Sequence, residues 1–196
     1  MRSAEVERIT NETEIRVRLD IDGFGTNQIN SGIGFLDHML QQLAVHGLFD
    51  LTLHAHGDLR IDPHHTVEDC GIVLGTSFSK ALGEKRGIVR MADAAVPMDE
   101  ALAWVVVDLS GRPYSVIETN WASPTVGGLP TTLIEHFIES FSIACACNLH
   151  VYIKTGKDNH HMAEALFKAL GRALDLATQI DPRRQDHIPS TKGRIT

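Results

Sequence analysis

Residues 64–68 read HHTVE and residues 160–164 read HHMAE, so the chain twice sets a pair of adjacent histidines just ahead of a glutamate. Imidazole and carboxylate donors without a thiolate suit Mn, Fe, Zn, Co or Ni and do not choose among them. On a helix, residues three or four apart share a face while neighbours diverge by about 100°. Glu68 can therefore join His65 at i+3 or His64 at i+4, but the two histidines of one pair cannot readily chelate one ion. The simplest arrangement is two metal ions, with each pair split between them. His38 and His136, on the helix ahead of each pair, bring the set to six histidines and two glutamates.

The elements around these residues are duplicated. In EIRVRLDIDG (14–23) Ile15, Val17, Leu19 and Ile21 alternate with charged residues at the period of a half-buried strand, and ALAWVVVDLSG (101–111) is its more apolar counterpart. GFLDHMLQQLAVHGL carries Phe35, Leu36, Met39, Leu40 and Leu43 at helical spacing. TTLIEHFIESFSIACA is its mate, with Thr132 and Glu135 in the spacing of a capping box. A strand follows in each half (50–58 and 148–156), then a helix that opens on the histidine pair. Asp62 with Pro63 signals the start of the first such helix, and Asp158 or Asn159 that of the second. Glu12 to Glu100 and Gly23 to Gly111 share one offset, and the histidines recur at a slightly longer one. A duplicated core explains matched leucines, but it does not require matched histidines and glutamates.

The expected architecture is α+β, with two repeated halves in strand, strand, helix, strand, helix order, each a small sheet covered on one face by two helices. The expected boundaries are 1–88 and 89–185 for the halves and 186–196 for a tail of turn composition. Of the 196 residues 43% are hydrophobic and 22% charged, with a net charge of -7, which fits a folded soluble protein and gives no basic footprint for nucleic acid or an anionic membrane. No segment has the apolar length of a membrane span or a signal peptide, so a cytoplasmic location is expected. Cys70, Cys145 and Cys147 read as core thiols in a reducing compartment. His46, His54, His56, His150 and His187, outside the repeat, read as surface or capping histidines.

GFLDHML, DPHHTVEDCGI, RMADAAVPMDEAL, VDLSGRPY and DNHHMAEALFKALGRAL resemble the signature segments of the imidazoleglycerol-phosphate dehydratase family, and the resemblance runs through essentially the whole chain. It implies the monofunctional form of an enzyme of histidine biosynthesis that dehydrates imidazole glycerol phosphate to imidazole acetol phosphate. It also implies two manganese ions per active site, one held by His38, His65, Glu68 and His160 and the other by His136, His161, Glu164 and His64. A homo-oligomer of twenty-four subunits with active sites at subunit interfaces is implied as well. An imidazolate between two Lewis acids is a plausible electron acceptor for the elimination. By the same resemblance Glu12 is the leading acid/base, completing a set of catalytic carboxylates with Glu68 and Glu164, and Glu100 is its repeat mate. Arg90, Arg112, Lys168, Ser190 and Lys192 are implied to bind phosphate. The rival readings are a two-metal hydrolase, which usually carries more bridging carboxylates, and a non-enzymatic metal-binding shell, which has no use for a phosphate cluster.

Overall fold

The structure, a computed structural model, describes residues 2–184 and 187–195. β1 (Ser3–Ile9), β2 (Thr13–Asp20), β3 (Asn27–Asn30), α1 (Gly34–Gly47), β4 (Asp50–Gly57) and α2 (His64–Leu82) form the first half. β5 (Met91–Met98), β6 (Ala101–Asp108), β7 (Tyr114–Glu118), a short hairpin of β8 (Thr125–Val126) and β9 (Leu129–Pro130), α3 (Thr131–Cys145), β10 (Asn148–Thr155) and α4 (Asn159–Thr178) form the second. The two sheets have matching topology, β1-β2-β4-β3 and β5-β6-β10-β7, antiparallel except for the last pair of each. The α+β reading with repeated halves is borne out. Each four-stranded sheet holds one more strand than the periodicity revealed, because β3 and β7 are parallel edge strands too short to show a clear period. The expected boundary between second half and tail, at 185–186, lies outside the described residues.

The strands alternate as their sequences require: Ile15, Val17 and Leu19 are buried while Arg16 and Arg18 face outward. α1 and α2 cover the inner face of the first sheet and α3 and α4 that of the second, so the four helices lie between two outer sheets. Their packing crosses the repeat, with α1 against α4 and α2 against α3. Glycine permits the close approach: a Cβ at Gly75 would stand 2.5 Å from the Phe141 carbonyl oxygen, and one at Gly171 would stand 2.6 Å from that of Leu43. The core between the layers includes Leu40, Leu43, Phe78, Phe137, Phe141 and Phe167, all at most 1% exposed. At roughly 1.5–3 kcal/mol for each fully buried large apolar side chain, this layer dominates the cohesion of the two halves. The three cysteines are free and buried in it.

The helix starts were partly legible. Asp158 caps α4 by accepting from the His160 backbone N–H at 2.7 Å, and Asp62 accepts from His64 N–H at 2.8 Å although Pro63 already has helical dihedrals. The capping box expected for α3 is absent. Pro130 occupies the N-cap position, and Glu135 is instead the acceptor for the Thr119 hydroxyl and, at 2.9 Å, for Trp121 Nε1.

Candidate metal centre and phosphate cavity

The crossed helix packing gathers the histidines into two groups. His38 from α1 meets His160 and Glu164 from α4, and His136 from α3 meets His64 and Glu68 from α2. Within each group one ligand atom per residue lies within 4.8 Å of the others. His38 Nε2 and His160 Nε2 each stand 2.9 Å from Glu164 Oε1, and His136 Nε2 stands 3.5 Å from Glu68 Oε1. The imidazoles pair similarly in both, His38–His160 at 5.4 Å and 43° and His64–His136 at 4.8 Å and 42°. Within the chain each glutamate shares its face with the first histidine of its pair, at i+4.

This geometry exchanges the carboxylates relative to the ligand sets implied by the resemblance. Within the chain Glu164, not Glu68, accompanies His38 and His160, and Glu68 accompanies His64 and His136. His65 and His161 join neither group, because as the second members of their pairs they turn away, with ring planes at 78° and 88° to their neighbours. Each gives Nδ1 to a carboxylate instead. His65 Nδ1 lies 3.0 Å from Asp58 and 3.8 Å from Glu12, and His161 Nδ1 lies 2.8 Å from Glu100. These hydrogen bonds raise both imidazoles above the ordinary histidine pKa. Glu100 is held down to about 2 by the Asp158 backbone N–H, His161 and the Lys157 N–H. A ring whose Nδ1 is bound to a carboxylate presents Nε2 outward as a ligand, a common arrangement around metals.

The donor set fits divalent metal. The buried Nε2 of His136 has no hydrogen-bond partner among the described residues, although it faces its group. Burial pushes Glu164 up, but hydrogen bonds from Lys168, His38 and His160 outweigh it and hold the carboxyl at about 2, ionised and ready to bind a cation.

A second feature lies at the other end of the helix layer. Arg90, Arg112, Ser190 and Lys192 line one cavity of about 540 Å³ with Ser110 and Arg194, a cationic and hydroxyl-rich surface suited to phosphate. Lys168 is not there. Its Nζ lies 2.6 Å from Glu164 Oε2, beside the first histidine group. Glu12 is exposed on the turn between β1 and β2.

The family model for imidazoleglycerol-phosphate dehydratase matches residues 31–174, which include every residue of both histidine groups. The chain belongs to the imidazoleglycerol-phosphate dehydratase family. It is 58% identical over 192 residues to the imidazoleglycerol-phosphate dehydratase of Roseiflexus sp. (strain RS-1), covering 98% of this chain and 96% of that protein. It is 54% identical to that of Haloquadratum walsbyi, covering 99% and 92%. Its fold matches the crystal structure of the Staphylococcus aureus N315 dehydratase with a TM-score of 0.83 and 35% identity, over 91% of this chain and 99% of that one. This dehydratase is therefore a carbon–oxygen lyase of histidine biosynthesis.

Sequence reasoning missed several residues that hold the site. Asp37 and Glu135 each directly precede the first-helix histidine of their half, and each pins the preceding loop: Asp37 accepts from Ser31 Oγ at 2.6 Å, as Glu135 does from Trp121. Asn159, 5% exposed, holds the segment before α3 through the Ala122 N–H and the Ser123 carbonyl, both at 2.8 Å. The recurrence of an acid before His38 and before His136 was a readable signal, but Asn159 has no counterpart in the first half.

Proposed function

We propose that this chain dehydrates imidazole glycerol phosphate to imidazole acetol phosphate in the cytoplasm, with two manganese ions per active site and in a homo-oligomer, the twenty-four-subunit shell being the form the family implies. The reading is carried by one observation, the pair of crossed groups His38, His160, Glu164 and His64, Glu68, His136, each three ligands strong. When bound, a cation held by each of these groups would supply Lewis-acid stabilisation of charge developing on the substrate.

Three protein donors leave each group open on one side. His65 and His161 face away from their own chain's groups, and Nδ1 bonds to Asp58 and Glu100 orient them. We take them to complete the groups of neighbouring copies. Ile61, at 73% exposed, and Ile9, at 64%, flank the His65 surface on the adjoining loop and strand end and supply apolar area for such a contact.

The remaining roles follow from charge and position. Arg90, Arg112, Ser190 and Lys192 bind the phosphate, and Lys168, set apart from them, would reach a phosphate seated across the subunit boundary. Glu12, free of metal groups and exposed, is the acid/base that moves the proton at the reacting side-chain carbon or hydroxyl. Glu68 and Glu164 serve as ligands, since a carboxylate that shares its lone pairs with a cation is a poor base.

His65→Ala and His161→Ala test the reading together. Each should abolish turnover although they lie in different halves, while His56→Ala should be mild. Near-normal activity with full metal content in either of the first two would overturn the paired assignment.

A further inference from the structure

Arg90 is held in an unusual way for a phosphate ligand. Its backbone has φ +78°, a left-handed conformation that a non-glycine residue rarely takes without a reason. The strain is maintained from both sides: Arg90 N–H donates to the Ala177 carbonyl at 2.8 Å, and the Arg90 carbonyl accepts from Leu109 N–H at 3.1 Å. Its guanidinium then grips Asp108 with both ends of one edge, Nε to Oδ1 at 2.7 Å and Nη2 to Oδ2 at 3.0 Å. Nη1 donates to the Pro189 carbonyl at 2.7 Å. A guanidinium has five N–H groups, so one on each Nη is left for a ligand in the cavity that Arg90 lines.

We propose that Asp108 is a positioning residue for the phosphate: its carboxylate locks the Arg90 fork so that the two remaining N–H groups face the cavity together with Ser110, Arg112 and Ser190. The inference rests on the phosphate reading of that cavity. Asp108 itself does not line it, and a carboxylate there offers an anion nothing directly. Beneath the same turn, the buried Lys85 donates from Nζ to the Leu109 carbonyl at 3.2 Å, so the segment between Asp108 and Ser110 is tied down from below as well.

The repeat offers an internal comparison. Ser3 pairs with Asp20 in the first sheet as Met91 pairs with Asp108 in the second, which makes Arg2 and Asp20 the mates of Arg90 and Asp108. In the first half Arg2 donates instead to Asp22, Asp20 accepts from the Asp22 N–H, and Phe24 stands where the second half has Arg112. The half without the Asp108–Arg90 fork has no second arginine at the corresponding place.

Charge and positioning predict opposite signs, which makes the inference testable. By charge alone, removing a carboxylate beside Arg90 should tighten the binding of an anion. By positioning, it should weaken it, because an unheld guanidinium must be ordered at the moment of binding. The measurement is titration of the manganese-loaded enzyme with inorganic phosphate, alongside steady-state kinetics, for wild type, Asp108→Asn, Arg90→Lys and the double variant. Asp108→Asn should weaken phosphate binding and raise KM by about tenfold, with the maximal rate affected far less. In the Arg90→Lys background, where there is no fork to hold, the same change should matter by less than about twofold. Phosphate binding unchanged or tightened in Asp108→Asn would overturn the inference while leaving the phosphate reading intact. An equal loss with and without the fork would make Asp108 merely structural and overturn it too. Failure of the wild type to bind phosphate at all would overturn the phosphate reading and this inference with it.

Discussion

His38 Nε2 and Glu164 Oε1 lie 2.9 Å apart although 126 residues separate them, one on the first helix of the first half and the other on the last helix of the second. The contact makes this candidate metal group a property of both halves, as the approach of His136 to His64 and Glu68 does for the other. Glu164→Gln removes the charge from one group and leaves His64, Glu68 and His136 untouched. Metal analysis after saturation and desalting should find about half the wild-type content, since losing one ligand typically weakens a metal site strongly. Full content in the variant would contradict the grouping.

Glu12 and Glu100 are repeat mates with different surroundings. Glu100 is tied to His161 and to the N-terminus of α4, whereas Glu12 is exposed and its nearest ionic partner, His65, is 3.8 Å away. Glu12→Gln should leave metal content and substrate affinity intact and lower turnover by about a hundredfold or more, the usual scale for a lost general acid or base. Loss of metal would make Glu12 a structural residue, and a normal rate would leave it an ordinary exposed glutamate.

His161 titrates above the ordinary histidine value because Glu100 accepts its Nδ1 proton. A histidine whose folded pKa is raised favours the folded state below its unfolded pKa, and that contribution is lost as pH rises through the higher folded value. In metal-free protein, an NMR titration should give His161 a midpoint that drops toward the ordinary value in Glu100→Gln. An unchanged midpoint would show that Glu100 does not hold the ring.

On the proposal that His65 and His161 complete the groups of neighbouring copies, metal and assembly should be linked, because removal of the cations would leave imidazoles from different copies without a common partner. Size-exclusion chromatography with a chelator should convert a large assembly into smaller species, and restoring manganese should reverse the change. An unchanged elution volume after confirmed metal loss would sink the idea that His65 and His161 act across copies.

Much of this was readable from residue pattern. The alternation of Ile15, Val17 and Leu19, the helical spacing of Phe35, Met39 and Leu43, and the duplication of the histidine pairs gave the layers and the repeat. β3 and β7 were not legible because a short parallel edge strand has little periodicity to show. The grouping of the ligands was not legible either. It depends on α1 packing against α4 across the repeat, a tertiary choice made through contacts such as the glycine approach at Gly171 and Leu43. Glu135 illustrates the limit of local rules: its spacing from Thr132 matched a capping box, yet its carboxylate went to Trp121.

The central claim is tested most directly by incubating chelator-treated protein with imidazole glycerol phosphate, with and without added manganese, and following substrate and products by mass spectrometry. The account predicts a product lighter than the substrate by one water and still carrying its phosphate, formed only when the metal is restored. Release of inorganic phosphate, or no conversion by protein with its full complement of metal, would contradict it.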